Sequence, residues 1–392
     1  MNKKITGFQK RVKRRVSARN HVFFIICPPG LKQLCLKEIM ALGLCCDNIK
    51  AMPGGIEFKG RPTDCMLLNL WLRTASRILM RIKKFKATSF NQLEKKLGLI
   101  DWDIYLPQGC VHPEVKAVCH NSRLYHSDAV AQRCKKAIAA RMNNHQKALF
   151  SSQTVYIRAD HDEFTVSLDT TGDLLFKRGI KQIINKAPLR ENLACALLFK
   201  AGFLKDDMVI DPMCGSGTFS LEAAMIQGNI PAGFFRSFAF EQWPGFSKRT
   251  WSYLKKKAEN NFTEFKDTRI YASDNDETAV RAVRQNISCH GFDKAIEVSE
   301  QDFFSIIPSM THKGQKGVIV LNPPYGKRLD NTDMPEKFYR EMGKKLIKDF
   351  KGWRAGIILP AHAWKSVPDL RLNMSPIFHG GLDLVAGSGK IR

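Results

Sequence analysis

The rhythm of apolar and polar positions changes once along this chain, near residue 187. Upstream, strands and helices follow one another irregularly. Val22–Cys27 is an apolar run ended by Pro28-Pro29-Gly30, which predicts a strand and its break. Leu31, Leu34, Cys35, Ile39 and Leu42 then recur at helical spacing, with Gly43 as the stop. Asn48–Met52 and Ile56–Lys59 flank Pro53-Gly54-Gly55 as a hairpin. A helix follows through Met66, Leu67, Leu70 and Trp71, then a basic strand Arg77–Lys86 and a helix from Ser89 with Leu93 and Leu97 inward. Val111–His120 reads as a strand, Ala129–Met142 as a helix, and Val155–Ala159 with Phe164–Leu168 as a second hairpin. Such a mixture is α+β in style.

From Ala187 the alternation becomes regular. Strands at Met208–Ile210, Arg269–Ser273, Ile296–Ser299, Val318–Leu321 and Ala355–Leu359 are separated by helices, among them Phe219–Gln227, Glu277–His290 and Glu336–Phe350, and a last pair lies around Leu382–Val385. Alternating strands and helices predict a mostly parallel sheet covered on both faces.

At 392 residues the chain is long enough for two or three domains, and 44% hydrophobic content is enough for real cores. The net charge of +25 and a pI near 9.7 favour a polyanionic partner, most simply nucleic acid. No apolar run is long enough to span a membrane, and no signal-like segment follows Met1, so a cytoplasmic protein is expected. The 11 cysteines include no Cys-x-x-Cys pair, which leaves zinc ribbons and iron–sulfur clusters without their usual spacing and predicts reduced, packed thiols. Residues 1–20 hold eight lysines and arginines and no acid; they read as a disordered tail that either clings to phosphates or solubilises the protein.

Two stretches carry the candidate chemistry. Val318–Leu321 suits a strand buried on both faces, and Asn322-Pro323-Pro324-Tyr325-Gly326 must end it, because two prolines remove two backbone donors. Open α/β sheets bind ligands at that carboxyl edge. The Asn322 side-chain oxygen and the Pro323 carbonyl are two acceptors suited to a nucleobase amino group, and Tyr325 can stack on the base for about 1–3 kcal/mol. A plain strand-ending turn is the alternative, and the second stretch weighs against it.

Asp211-Pro212-Met213-Cys214-Gly215-Ser216-Gly217-Thr218 is a glycine turn between a strand and a helix. Gly215 and Gly217 let backbone approach a ligand closely. Ser220 stands where the dinucleotide fingerprint has its third glycine, which argues against NAD, and no Gly-Lys-Ser/Thr follows, which excludes a P-loop. Asp274 ends the next strand and can accept from ribose hydroxyls; Asp302 ends the third and can accept from an adenine amino group, with Phe303 beside the ring. Each aspartate alone is more often a helix cap. Three in series, followed by Asn-Pro-Pro-Tyr, describe a cleft for an adenosine-bearing cofactor next to a base pocket.

DPMCGSGT, SDND, QDFF and NPPYGKRL, in that order, resemble class I S-adenosylmethionine-dependent methyltransferases. APLRENLA at Ala187–Ala194 and FAFEQWPGF at Phe238–Phe246 narrow the likeness to the THUMP-domain RNA guanine-N2 methyltransferases, including the bacterial 23S ribosomal RNA enzyme in a form with a single methyltransferase domain. The resemblance covers essentially all of Val22–Arg392. It implies a Rossmann-like α/β catalytic domain with a mostly parallel seven-stranded sheet, preceded by an α+β ferredoxin-like/THUMP RNA-binding module. The implied boundaries are a ferredoxin-like segment at 21–60, THUMP at 61–169, a linker at 170–186 and the methyltransferase domain at 187–392.

The cofactor implied is S-adenosylmethionine, held by Asp211, Cys214, Gly215, Gly217, Thr218, Asp274, Asp302, Phe303 and Asn322. Met213 departs from the family, which often has an aromatic there. Asn322, Pro323 and Tyr325 would present the guanine amino group, with no metal. Lys135, Lys136 and Arg141 on one helix, with Lys327 and Arg328 beside the catalytic loop, would hold RNA phosphates. Transfer RNA is the alternative substrate; an adenine-N6 DNA methyltransferase shares the amine chemistry, and a non-catalytic ribosome-assembly factor is the rival outside enzymology.

Overall fold

The computed structural model describes residues 6–44, 47–107, 109–110, 112–142, 153–181, 189–308, 316–323, 334–368, 370–379 and 382–392. The chain forms two compact units: Met1–Cys27, Leu36–Leu175 and Arg236–Lys256 make one, and Pro28–Cys35, Phe176–Phe235 and Lys257–Arg392 the other.

The first unit is built on a seven-stranded sheet ordered β2-β3-β1-β4-β7-β6-β5. Its strands are β1 (His21–Ile26), β2 (Asp47–Met52), β3 (Gly55–Gly60), β4 (Arg77–Lys86), β5 (Glu114–His120), β6 (Thr154–Asp160) and β7 (Glu163–Asp169). Only β5 and β6 run parallel. Alternation along β1 puts Phe23 and Ile25 inside, where Phe23 stacks on Phe58 of β3 at 5.0 Å. One sheet thus runs through residues 21–169, so the expected boundary at residue 60 falls between strands of a continuous ladder.

Residues 7–17 depart from the expected disorder. Thr6 and Gln9 form a capping box on the helix Gly7–Val12, which passes into a π-helical turn, Lys13–Ser17. Val12 and Val16 are buried with Ile104, while Arg11 bonds to Asp103 and Arg15 to Asp101. Two of the basic residues are therefore held by acids of the same unit.

The segment Phe238–Phe246, expected within the catalytic domain, belongs to the first unit. Phe238 and Phe240 stack on each other and both meet Trp251 edge to face, and the Trp243 indole donates to Gln153 Oε1 at 2.7 Å. Trp251 lies on a helix, Lys248–Glu259, that the lysine-rich sequence had not revealed.

The second unit contains β8 (Val209–Asp211), β9 (Ile270–Asp274), β10 (Ile296–Glu300), β11 (Val318–Leu321), β12 (Arg354–Pro360), β13 (Asn373–His379) and β14 (Leu382–Lys390), ordered β10-β9-β8-β11-β12-β14-β13. The first five in that order are parallel; β14 is antiparallel to both its neighbours. The chain starts in the middle at β8, winds outward to β10, then returns to β11 on the other side. That reversal makes a topological switch point between β8 and β11, where open α/β sheets hold ligands. All four residues of β11 are buried, which is why its sequence is apolar throughout rather than alternating. No helix among the described residues is long and apolar enough to cross a membrane.

Candidate active site

The glycine turn leaves β8 and opens the helix Thr218–Gln227. Gly215 and Gly217 both have positive φ, +52° and +72°, which β-carbons disfavour. They differ in surroundings. A Cβ on Gly217 would meet Val283 at 3.0 Å, so that glycine is needed for packing, whereas the side of Gly215 where a Cβ would lie is open to 4 Å. The turn is tied to the neighbouring strand: Gly215 N–H donates to Asp274 Oδ2 at 2.8 Å and Cys214 N–H to the Ser273 carbonyl at 2.9 Å.

Asp211 is fully buried. One carboxylate oxygen accepts from the Ser220 amide (3.2 Å) and hydroxyl (2.7 Å); the other, Oδ1, is buried without a hydrogen-bond partner. Ser220, which breaks the dinucleotide fingerprint, is thus the residue that holds Asp211. Burial raises the Asp211 carboxyl from 3.8 to about 7, against the two Ser220 bonds and reinforced by the nearby Asp274 charge. Burial also pushes the Cys214 thiol well up, with Asp211 and Asp274 adding to the effect.

A raised pKa means that the folded state keeps a proton the unfolded chain has lost. This group's contribution to stability is complete below its ordinary value and is lost as pH rises through about 7. Cofactor-free protein should therefore lose about 1 kcal/mol between pH 6 and pH 8 from this group. Urea melts across that range check it, and Asp211→Asn should remove that part of the slope. An unchanged slope in the variant would assign the pH dependence elsewhere.

Asn322 follows β11 directly, across the switch point from Asp211. Its Oδ1 is likewise buried and has no partner. Leaving a polar atom so costs about 1–3 kcal/mol, an arrangement retained where a ligand completes the bond. Pro323 comes next and is buried; Tyr325, Lys327 and Arg328 lie outside the described residues.

Two expectations change. Phe303 is only 2% exposed, and its ring packs with Phe350 at 6.4 Å and Phe304 at 5.2 Å, so it is part of the core rather than a face offered to adenine. The reason is the turn at 303–305, which rolls the first phenylalanine of QDFF inward and leaves Phe304 41% exposed. Asp302 is exposed, and its Oδ1 accepts from Phe304 N–H at 2.7 Å, the helix-cap role that had been its alternative. Asp274 also has backbone duties, accepting from Asp276 N–H at 3.1 Å as well as from Gly215, yet each oxygen keeps a lone pair.

Thr218 is buried, and its hydroxyl accepts from Lys181 Nζ at 2.7 Å. Lys181 also pairs with Glu191 at 3.0 Å, linking the starts of the helices Glu191–Lys200 and Thr218–Gln227. Three residues earlier, Arg178 forms a two-point bond with Glu222 at 2.8 and 3.3 Å, both side chains fully inaccessible. Arg178 and Lys181, within the expected linker at 170–186, are therefore anchored in the second unit, whereas its residues up to Leu175 belong to the first. The available signal was a single acid, Glu222, in an otherwise apolar helix face. Elsewhere, Lys135, Lys136 and Arg141 are exposed on the helix Ser127–Met142, with no acidic partner among the described residues.

Residues 178–374 match the family UPF0020, described as RMKL-like, methyltransferase domain, and residues 22–79 match the RlmL ferredoxin-like domain. The Synechocystis protein slr0064, designated an RNA methyltransferase by name, is 30% identical over 93% of this chain and 96% of its own. The ribosomal RNA large subunit methyltransferase K/L of Methylococcus capsulatus is 32% identical over 86% of this chain, which spans only 46% of that relative. Among solved structures, SMU.472, described as a methyltransferase in complex with SAH, is 28% identical with a TM-score of 0.83 over 95% of this chain and 99% of its own. A Listeria monocytogenes protein described as an N6-adenine-specific DNA methylase has the same identity and TM-score, 28% and 0.83, over 95% of this chain and 97% of its own.

Proposed function

The chain belongs to the UPF0020 family of RMKL-like methyltransferases, and from that membership we propose that it transfers a methyl group from S-adenosylmethionine to the exocyclic amino group of a guanosine in RNA, with 23S ribosomal RNA as substrate. The observation that carries the reading is the pair of buried, unpartnered oxygens on either side of the switch point, Asp211 Oδ1 and Asn322 Oδ1. Asn322 Oδ1 is an acceptor in need of a donor, and Asp211 Oδ1 is one when its carboxyl is ionised. The Asp211 side, with the open flank of Gly215, suits the cofactor's polar end; the Asn322 side suits a base amine.

The cofactor, when bound, supplies an activated methyl group on a positively charged sulfur. The chain's task is positioning and exclusion of water. Asn322 Oδ1 would accept one amino hydrogen and the Pro323 carbonyl the other, which turns the nitrogen lone pair toward the methyl group. As the N–C bond forms, the sulfur would keep the electron pair of the broken S–C bond, and the amine would give up one hydrogen as a proton to solvent. Asp274 keeps acceptor capacity for ribose hydroxyls while it holds Gly215 in place. Asp302 has one oxygen left for an adenine amino group. The target base leaves its stack at a cost of a few kcal/mol, least in an unpaired loop. Lys327 and Arg328 would meet phosphates beside the target, and Lys135, Lys136 and Arg141 of the first unit would hold phosphates elsewhere on the same RNA. The THUMP assignment for residues 61–169 and a cytoplasmic location belong to the same reading.

The adenine-N6 reading is favoured by the Listeria likeness, and the K/L relatives favour RNA. Nucleoside analysis separates them. Protein-free 23S RNA from a strain lacking the gene, and unmethylated DNA, are each incubated with the enzyme and tritiated cofactor, then digested. The expected label is in N2-methylguanosine from RNA. Label in N6-methyladenine would replace this proposal with its rival.

A further inference from the structure

Several cations on the sheet of the first unit are paired with acids: Arg81 with Glu57, Lys84 with Glu163, Lys116 with Glu114 and Arg158 with Asp160. The amino-terminal helix is tied down similarly through Asp103 and Asp101. The helix Lys248–Glu259 differs. Its sequence, KRTWSYLKKKAE, has five cations before its one acid.

Lys248, Arg249 and Lys256 are exposed, and none has an acidic partner among the described residues. Tyr253 is 64% exposed and stands four residues after Arg249 and three before Lys256, so the three side chains share one stripe. The opposite face is fixed. Trp251 meets Phe240 at 5.2 Å and Phe238 at 5.8 Å, both edge to face, and Leu254 is buried. Unpartnered cations along one stripe repel one another, and an outward tyrosine gains nothing from burial. A merely solvated face is served as well by paired charges, such as those on part of the sheet. Here positive charge and an aromatic ring are held out on a rigid support instead.

We propose that the stripe Arg249–Tyr253–Lys256 is an RNA-binding surface that takes an unpaired segment of the substrate, with the cations on phosphates and the Tyr253 ring against a base. The inference rests on the reading of the protein as an RNA methyltransferase. It adds a second place of engagement, away from Lys135, Lys136 and Arg141 in sequence, and a stacking contact that charge alone does not provide.

The test uses the full chain with two variants, Arg249→Glu/Lys256→Glu and Tyr253→Ala, and a protein-free 23S ribosomal RNA transcript. Filter binding is measured against salt, alongside methylation kinetics and cofactor affinity by calorimetry. The charge-reversed protein should bind RNA about tenfold or more weakly, and its log affinity should fall less steeply with log salt, by about 2 in slope. Tyr253→Ala should weaken binding about fivefold or more with the salt slope unchanged. Cofactor affinity and melting temperature should not move. Should charge reversal lower the melting temperature, Arg249→Gln/Lys256→Gln is read in its place.

If the wild type methylates RNA and the variants do so with unchanged KM and affinity, the stripe is not an RNA surface, though the enzyme assignment stands. If the wild type neither binds nor methylates RNA, the assignment falls and the inference with it. Unchanged RNA binding accompanied by loss of an acidic protein partner would also overturn it.

Discussion

Replacing Asn322 by alanine is expected to lower methyl transfer to RNA by about 10²–10³-fold, the scale seen when one preorganised polar contact to a reacting group is removed. Cofactor affinity should change much less, because the proposed role of Asn322 is to hold the amine. The expectation follows from the state of its side chain. Oδ1 is buried and has no hydrogen-bond partner, so it is already desolvated before substrate arrives. An acceptor shielded from bulk solvent gives a bound donor a stronger bond than the same acceptor in water. Alanine removes the acceptor and also relieves the buried, unsatisfied oxygen, so the variant should be at least as stable as the wild type. Single-turnover transfer of a tritiated methyl group, read beside calorimetric binding of cofactor and a thermal melt, separates the three quantities. Near-normal turnover in a well-folded variant would remove Asn322 from the chemistry.

The second large effect concerns stability. Arg178→Leu should destabilise the second unit by about 3–5 kcal/mol, because Glu222 would remain buried without its two-point partner. The loss is expected to be mostly an uncompensated charge rather than the worth of the pair. Arg178→Leu combined with Glu222→Leu should therefore recover much of it. Urea unfolding of the four proteins in the cycle gives the coupling directly. Equal stability of the single and double variants would show that packing, not charge, sets the cost. Glu222 lies on the helix that begins at the glycine turn, so a weakened pair should also loosen the turn that contains Gly215 and Gly217.

Much of the catalytic unit was legible in the chain. The change of rhythm near residue 187 announced the parallel sheet, and the order of Asp211, Asp274, Asp302 and Asn322 announced which strand ends would carry polar groups. These are local signals: a strand buried on both faces must be apolar, and a chain turning at the edge needs glycine or proline there. The amino-terminal unit was less legible. Its strands were found, but their joining into one seven-stranded sheet was not, because register between distant antiparallel strands leaves no local trace. The basic residues 7–17 read as a tail because charge dominated the pattern, while Val12 and Val16, the two that anchor it, are a weak signal in so short a stretch.

The sequence by itself determined the class of fold and which residues stand at the carboxyl edge of the parallel strands, since periodicity and turn chemistry are properties of neighbouring residues. Only the tertiary structure decided what each of those residues faces. It turned Phe303 into the core, gave Asp302 a cap to hold, and joined Arg178 to Glu222 across 44 positions of chain. It also left Asp211 and Asn322 each with one oxygen buried and unanswered. Whether a polar atom is satisfied depends on what distant segments bring to it. That sum is settled by packing, and no stretch of sequence contains it.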